Sequence, residues 1–415
     1  MIPVQEYIQH FKRIWEESST EFPKFQRFYS PNEQSQRETN FEKFQKKVSE
    51  LQSKNNVRQL RNSPEKSFFP VFKSFLETVF DFEPEHLNII LSNEFKDVSK
   101  DFFYKAREFG PELTPENIYQ GLRNVWIMNG IQLMMKLPVQ ITPSVFAYSM
   151  IYPYSDNLLD NPSISSKEKS EFSVRFNHRL HGEPVLPESD TESQLFKLVS
   201  LFEMQYERLQ FPELYESLYA IQQGQTNSLN LLKSNVLSGQ EITEICFEKG
   251  GASVLADGYL VAGKLTREQE QALFGYGIYL QLLDDIQDVK EDFGANTRTI
   301  FSCLNGENLG EFVNKTIHFG RVALDEMKCF EMPLTGTFLS LMNRSIETMI
   351  VESVGLNERW YTNEYLEQLN RFSPLRFEFV RAKKSQSSSQ RLALFRKIFE
   401  SSYSMPPNAT MFSGF

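Results

Sequence analysis

Hydrophobic residues recur with helical spacing along almost the whole chain. Apolar positions three or four residues apart, typical of amphipathic helices, fill most segments between the prolines and glycines. The sequence shows neither a series of alternating apolar and polar runs nor Asn-Gly or Asp-Gly turns between β-branched runs, which would indicate hairpins. The pattern therefore predicts an all-α protein.

Capping signals divide this pattern into separate helices. The first hundred residues predict polar amphipathic helices over 3–17 and 40–54, and Ser63-Pro64-Glu65 has the form of a further helix start. Longer and more apolar helices begin after Thr114 and Thr142, each of which is followed by a proline. Ser165 with Glu168, and Thr266 with Gln269, form predicted capping boxes.

Three more helices are predicted near 308–330, 335–355 and 362–372, before a polar Ser/Lys/Gln-rich stretch and a last helix. We interpret the chain as a helical N-terminal extension over 1–100, a main helical domain over 101–382, and a polar C-terminal segment over 383–415. That last segment is expected to end in a flexible tail.

Four carboxylates share one side of a predicted helix: Asp284, Asp285, Asp288 and Asp292. At about 3.6 residues per turn they fall within an arc of roughly 100°, opposite the apolar residues. Like charges at this spacing destabilise a helix. Divalent cations would offset that cost, and Mg²⁺ in proteins uses one or two carboxylates together with substrate phosphates. The alternative interpretation of this stripe is a solvated acidic helix face.

A second acidic pair lies near the end of the helix that begins after Thr142. Asp156 and Asp160 are four residues apart, so both fall on one face, about 6 Å apart along the axis. Carboxylates at a helix C-terminus oppose the helix dipole. Pro153, one turn earlier, is expected to kink or break the helix. The pair is either a second metal site or an acidic patch before a loop.

A pair of glycines interrupts another predicted helix directly after Lys249. Gly250-Gly251 in a helix interior costs about 2 kcal/mol relative to two alanines. A helix break there would bring the backbone close to a ligand. Close helix packing through small residues explains the same pattern, so both interpretations stay open.

Composition excludes several classes of function and location. The net charge of −10 argues against a general nucleic-acid binder, since no basic field is available to neutralise a phosphate backbone. The three cysteines show no close pairing, which predicts a reducing compartment without a disulfide framework. Neither a signal peptide nor an apolar run long enough to cross a membrane is evident. We therefore expect a cytoplasmic protein without a transmembrane segment.

Between about Gln223 and Thr299 the chain resembles the trans-polyprenyl diphosphate synthases of the class I isoprenoid (terpenoid) synthase superfamily. Its segment from Gln281 to Asp288, QLLDDIQD, is similar to that family's second aspartate-rich motif. The other matching elements are Gly224-Gln225, Lys249-Gly250-Gly251-Ala252-Ser253, Arg298-Thr299, and Asp156 with Asp160 as a first motif of DxxxD form. The resemblance covers roughly residues 115–350.

The resemblance implies an antiparallel helical bundle around a deep central cavity, with the two acidic sites facing each other across its mouth. It implies a set of three Mg²⁺ ions, with Mn²⁺ as a substitute, and a prenyl diphosphate substrate. Catalysis is expected to depend on Asp156, Asp160, Asp284 and Asp288. The full set of implied metal ligands is Asp156, Asp160, Asp284, Asp285, Asp288 and Asp292. The implied diphosphate-binding residues are Lys249, Arg298, Gln225 and Arg179, and a break at Gly250 and Gly251 would stabilise a cation. Related synthases are often dimers, so a homodimer is also expected.

Two departures from the family pattern favour a reaction on one substrate. The chain lacks a Gly-Lys-Arg element for isopentenyl diphosphate, and it has no Arg-Arg pair directly after Asp160; Arg175 and Arg179 lie farther on. We therefore expect a class I terpene synthase that ionises one prenyl diphosphate and lets the carbocation cyclise or be quenched. The alternatives are a prenyltransferase, either chain-elongating or head-to-head, and a non-catalytic homologue that keeps the fold.

Overall fold

The computed structural model describes residues 1–51, 68–159, 163–232, 237–304, 309–331 and 334–383, and this part of the chain is all-α, without a β-strand. Its α-helices, in chain order, are α1 Val4–Glu17, α2 Pro31–Leu51, α3 Phe69–Thr78, α4 Pro84–Ile90, α5 Asn93–Phe109, α6 Pro115–Met134, α7 Pro143–Leu159, α8 Ser166–Leu180, α9 Asp190–Gln205, α10 Pro212–Ser228, α11 Gly239–Ala262, α12 Arg267–Gln287, α13 Val289–Ala295, α14 Gly310–Glu326, α15 Thr335–Leu356 and α16 Asn363–Asn370.

Local capping chemistry sets several of these boundaries, as the sequence predicts. The Thr114 hydroxyl accepts a hydrogen bond from the backbone amide of Asn117 at the start of α6. Ser165 caps α8 through a capping box with Glu168, and Thr266 caps α12 through one with Gln269. Because each motif satisfies backbone donors that a helix start leaves unpaired, it fixes a boundary without help from tertiary contacts.

Other boundaries differ from the expectation. α2 begins at Pro31, well before the predicted residue 40, and takes in part of the stretch expected to be loose. Here Ser30 caps the first turn, since its backbone amide and its hydroxyl both donate to the Glu33 carboxylate. The helix start predicted at Ser63 lies outside the described residues. α7 continues through Pro153, so the proline does not end the helix.

α11 lies at the centre of the molecule and packs against α1, α6, α7, α10 and α12. Most of its side chains are buried, and it is apolar on nearly every face from Val254 to Val261. α12 packs along α11 and is covered on its other side by α14 and α15. In the portion of the chain described here, every helix is too short or too polar to cross a membrane.

The N-terminal helix α1 packs on α11, α12 and α14. Its buried side chains Tyr7, Ile8, Phe11 and Trp15 belong to the same apolar core as the long helices. The boundary predicted near residue 100 falls inside α5, and most of the C-terminal segment lies outside the described residues. The division into three domains stays a prediction.

Candidate active site

A large cavity lies between the long helices. Its volume is about 2560 Å³, well above the roughly 300–1,000 Å³ of ordinary ligand pockets. Its apolar wall comes mainly from three helices: α6 gives Ile127, Ile131 and Met134, α12 gives Leu280 and Leu283, and α15 gives Phe338, Leu341 and Met342. A long hydrocarbon therefore fits the surface that these helices present.

Glycines bring α11 and α12 unusually close together beside this cavity. A Cβ built on Gly250 would lie 2.7 Å from the Gly277 carbonyl oxygen, and one on Gly277 would overlap the Gly250 carbonyl oxygen. α11 continues through Gly250 and Gly251. The helix break, one of the two interpretations of this glycine pair, is therefore absent. These distances support the other interpretation, close helix packing, because a larger residue at Gly250 or Gly277 would push the helices apart.

A third helix approaches the same point. A Cβ on Gly224 of α10 would lie 3.2 Å from the Lys249 Cα, so this glycine lets α10 pack against the backbone of α11. Gln225, the next residue, lines the cavity. The close approach of α10 and α11 therefore brings Gln225, Lys249 and Gly250 together at the cavity wall.

The acidic stripe of α12 reaches the cavity through Asp284, which is exposed and lines it. Desolvation, then Asp284 and Glu291, raise the pKa of the Asp288 carboxyl. Burial, then Asp288 and Asp284, raise the pKa of the Asp292 carboxyl to about 6. Asp284, Asp288 and Asp292 therefore form one cluster whose negative charge is incompletely neutralised.

Asp285 points elsewhere. It is buried, it does not line the cavity, and its Oδ1 accepts a hydrogen bond of 2.8 Å from the Gln281 amide. Its Oδ2 has no hydrogen-bond partner among the described residues, and burial raises the pKa of the carboxyl to about 7. The thiol of Cys246 on α11 faces it. The structure therefore places Asp285 in the contact between α11 and α12, apart from the other three acids.

Two cations face the acidic cluster. Lys249 and Arg123 both line the cavity, and the charge of each opposes the upward shift in the pKa of Asp288. Lys249 belongs to the predicted diphosphate set, whereas Arg123 of α6 does not. The arrangement pairs acidic oxygens with cationic donors at one end of an apolar cavity.

The first acidic motif is only partly described. Asp160 lies outside the described residues, and for Asp156 the structure describes the backbone alone, within α7. The Tyr152 hydroxyl lies 3.0 Å from the Ser253 hydroxyl, and the Ser144 hydroxyl donates to the Leu260 carbonyl, so α7 and α11 run antiparallel. One further turn of this register puts the Asp156 backbone level with Lys249. The placement of the two acidic motifs on either side of the cavity mouth stays a prediction.

Two predicted anion-binding arginines, Arg179 and Arg298, do not line the cavity. Arg179 makes a two-pronged salt bridge to Glu203, with distances of 2.7 and 2.6 Å, between α8 and α9. The backbone amide of Arg298 donates to the Leu231 carbonyl just beyond α10, and the backbone amide of Thr297 donates to the Asp292 carbonyl. The role of both arginines in binding diphosphate stays a prediction.

Several polar residues of the cavity wall were not predicted from the sequence, among them Arg123, Asn124 and Asp257. A signal for two of them was available. Arg123 is the only charged residue between Glu116 and Lys136, and Asp257 is the only one between Lys249 and Lys264. A lone charge inside a long apolar run is costly unless it is paired or faces a ligand.

Where side chains are described, no group of three or more His, Cys, Asp or Glu residues is arranged to hold a metal ion by itself. Mg²⁺ does not require such a cage, because it retains waters and takes its remaining ligands from substrate phosphates. Carboxylate oxygens are the donors it prefers, and the raised pKa values of Asp288 and Asp292 show charge that a cation would neutralise. The residues present therefore fit Mg²⁺.

Several solved structures are similar to this chain. A geranylgeranyl pyrophosphate synthetase from the archaeon Geoglobus acetivorans is 14% identical, with a TM-score of 0.39, over 62% of this chain and 99% of that one. A geranyltransferase from Legionella pneumophila is 16% identical, with a TM-score of 0.37, over 65% and 99%. A geranylgeranyl pyrophosphate synthetase from Pyrococcus horikoshii Ot3 is 17% identical, with a TM-score of 0.34, over 75% and 99%. This likeness is one of fold. No protein-family model matches the chain, and no curated protein matches it.

Proposed function

We propose that this protein is a class I terpene synthase, a Mg²⁺-dependent enzyme that ionises one prenyl diphosphate and directs the resulting carbocation. One observation carries the proposal. Asp284, Lys249 and Arg123 line the same large apolar cavity, and the charges of Lys249 and Arg123 both act on the neighbouring Asp288. This is the pairing that an ionic head group on a hydrocarbon tail requires.

Each side chain at the mouth has a distinct task. Asp284 and Asp288, together with the predicted first motif of Asp156 and Asp160, would hold Mg²⁺, which supplies Lewis acidity to the departing diphosphate. Lys249 and Arg123 would donate charge-assisted hydrogen bonds to diphosphate oxygens, which are strongest where negative charge develops. Gln225 would add a neutral donor. Asp285, whose carboxyl faces Cys246, is more consistent with a supporting role behind the cluster.

The cavity wall would direct the hydrocarbon after ionisation. Apolar side chains from α6, α12 and α15 exclude water, which would otherwise quench a carbocation. Tyr152 and Trp126 also line the cavity. Aromatic faces attract cations within about 6 Å of the ring centre, so these two rings would stabilise positive charge inside the cavity.

A prenyltransferase is the second candidate, and one observation favours it. Lys96 and Lys100 of α5 line the same cavity as Arg123. A second group of cations beside a cavity suits a second diphosphate, which a condensing enzyme requires and an ionising cyclase does not. The proteins named above as similar in fold carry the names of prenyl-transferring enzymes.

The deciding experiment supplies substrates one at a time. Purified protein is incubated with Mg²⁺ and, separately, geranyl, farnesyl, geranylgeranyl and geranylfarnesyl diphosphate, first without and then with isopentenyl diphosphate. Released diphosphate and organic products are both measured. The control is the Asp284→Ala/Asp288→Ala variant, whose folding is checked by circular dichroism.

Each outcome selects one function. A hydrocarbon or alcohol formed from a single substrate, and lost in the control variant, establishes the terpene synthase. Longer diphosphates that form only with isopentenyl diphosphate establish the transferase. No turnover under either condition, from a folded protein, would contradict both enzymatic functions for these substrates and favour a non-catalytic homologue.

A further inference from the structure

Asp257 is a carboxylic acid within the apolar part of the cavity wall. It lies on α11, it is only 1% exposed, and it lines the cavity together with Val254 of the same helix. It lies eight residues beyond Lys249, or about 12 Å farther along the helix axis. Asp257 is therefore remote from the diphosphate end, at a depth that a hydrocarbon chain would occupy.

The two oxygens of this carboxyl group have different surroundings. Oδ1 accepts a hydrogen bond of 3.2 Å from the side-chain amide of Asn124 on α6. The same amide nitrogen lies 3.2 Å from the Ser149 hydroxyl of α7, which fixes its position. Oδ2 has no hydrogen-bond partner among the residues that the structure describes. A buried polar atom without a hydrogen-bond partner lowers the stability of the fold unless it serves another purpose.

Among the residues that the structure describes, no cation lies against this carboxyl group. Its only described hydrogen bond comes from the side-chain amide of Asn124, and burial raises the pKa of Asp257 well above its usual range. Burial without a cationic partner favours the protonated, neutral form of the acid. Since an N–H already donates to Oδ1, the proton belongs on Oδ2. A neutral acid in an apolar wall holds a proton with no acceptor in the described protein.

We propose that Asp257 is the residue that exchanges a proton with the hydrocarbon inside the cavity. The inference rests on the proposed function, because it requires a prenyl chain that has already lost its diphosphate. It assigns the chemistry of the deep cavity to a single carboxyl group, held in place by Asn124 as a positioning residue.

The proton exchange balances with the released diphosphate as the only other participant. Diphosphate takes a proton from the first carbocation, and the electron pair of that C–H bond forms a C=C bond, which leaves a neutral intermediate. The Oδ2–H bond breaks, and the proton adds to one carbon of a C=C bond in a neutral intermediate by taking up its π electron pair. The other carbon becomes a cation, paired with the Asp257 carboxylate. A C–H bond next to the cationic carbon then breaks, its electron pair forms a new C=C bond, and the proton returns to Oδ2.

Turnover in heavy water tests this step. An acidic O–H exchanges with solvent, so the wild-type enzyme in D₂O should place deuterium at one carbon of its product. Asp257→Asn keeps the shape of the side chain and removes the proton. This variant should still release diphosphate but should form the deuterated product about 100-fold more slowly or worse, the usual scale of general acid–base catalysis. It should accumulate the neutral intermediate instead.

Tyr276→Phe is the matched control. Tyr276 is another residue of this wall with an acidic hydroxyl group, and it lies close enough to Asp257 for the two groups to interact electrostatically. The phenylalanine variant should retain the deuterium. Loss of the label in Tyr276→Phe, with the label kept in Asp257→Asn, would overturn the proposal. Diphosphate release by wild-type protein without deuterium in any product would overturn it while leaving the proposed function intact.

A second readout does not depend on turnover. The infrared spectrum of the folded wild-type protein at neutral pH should contain a protonated-carboxyl carbonyl band that is missing from Asp257→Asn. Identical spectra would show that the resting carboxyl is ionised, which would contradict the proposal. A wild-type protein that releases no diphosphate from any substrate would remove the proposed function and this inference together.

Discussion

Arg123 and Arg179 differ in their surroundings, so substitutions at the two positions can distinguish a role in substrate binding from a role in stability. Arg123 lines the cavity opposite the acids, whereas Arg179 is held by Glu203 outside it. We expect Arg123→Gln to raise KM for a prenyl diphosphate and lower kcat/KM by roughly 10-fold to 100-fold, the worth of one hydrogen bond to a charged group. Steady-state kinetics on folded protein measures this.

Arg179→Gln is the control for that prediction. It should lower the free energy of unfolding, because Glu203 loses one of its partners, but leave KM within about twofold, far below the effect of a lost charged hydrogen bond. A KM that rises as much in Arg179→Gln as in Arg123→Gln would restore Arg179 to the diphosphate site and contradict the assignment of Arg123.

Because Asp257 is buried, we also expect the free energy of unfolding to depend on pH. Burial raises its pKa in the folded state, so its stabilising contribution is complete below the pKa of the unfolded carboxyl and is lost as the pH rises towards the folded value. From about pH 5 upward, the wild type should lose about 1.4 kcal/mol per pH unit relative to Asp257→Asn. Urea unfolding of both proteins across this range measures the difference. A constant difference would mean that the folded pKa is not raised.

At the scale of the helix, the contact between α11 and α12 is set by glycine. A Cβ on Gly277 would overlap the Gly250 carbonyl oxygen, which is backbone and cannot rotate away. We expect Gly277→Ala to separate the helices and lower the free energy of unfolding by about 1–3 kcal/mol, the usual cost of overpacking. Lys249 would then move relative to Asp284, so activity should fall as well.

Gly239→Ala is the matched substitution on α11. No atom of the described residues lies within 4 Å of a Cβ built there, at the first residue of the helix. It should leave the stability unchanged or raise it by a few tenths of a kcal/mol, because alanine loses less backbone entropy than glycine on folding. Equal destabilisation by both substitutions in urea unfolding would show that helix propensity, and not contact between the helices, dominates.

The same helices show which features a sequence can reveal. Thr114, Ser165 and Thr266 each cap a helix through neighbours within three residues, so the sequence predicted those starts. Asp284 and Asp285 share one predicted stripe, yet one lines the cavity and the other is buried towards Cys246. Helical periodicity places both within the same arc. Which of the two is covered depends on where α11 packs, and that contact is not encoded locally.

At the scale of the whole molecule, the cavity is the feature least accessible to sequence reasoning. The resemblance implied a central cavity and the sequence predicted its acidic end, but Arg123 of α6 and Asp257 of α11 were not among the predicted site residues. The Asn124–Asp257 hydrogen bond joins residues 133 positions apart. Contacts of this range exist only once the bundle has assembled.

Mg²⁺ and inorganic diphosphate should reverse the effect of one double substitution, Asp284→Asn/Asp288→Asn, on the melting temperature of the protein. Without metal, the crowded carboxylates of α12 repel one another, so Asp284→Asn/Asp288→Asn should melt at a higher temperature than the wild type. With Mg²⁺ and diphosphate at about 100 times Kd, the wild type should gain about 2.7 kcal/mol and become the more stable protein, since the variant has lost its metal ligands. Calorimetric melting of both proteins in EDTA and in ligand tests this reversal.

Asp97→Asn/Asp101→Asn is the control for the reversal, because it removes two carboxylates at the same spacing from α5, where neither lines the cavity. Its ligand-induced stabilisation should equal that of the wild type, which would tie the effect to position and not to net charge. If Mg²⁺ and diphosphate stabilised all three proteins equally, the acidic stripe of α12 would not be the metal site. The proposed function would then have to rest on a different set of ligands.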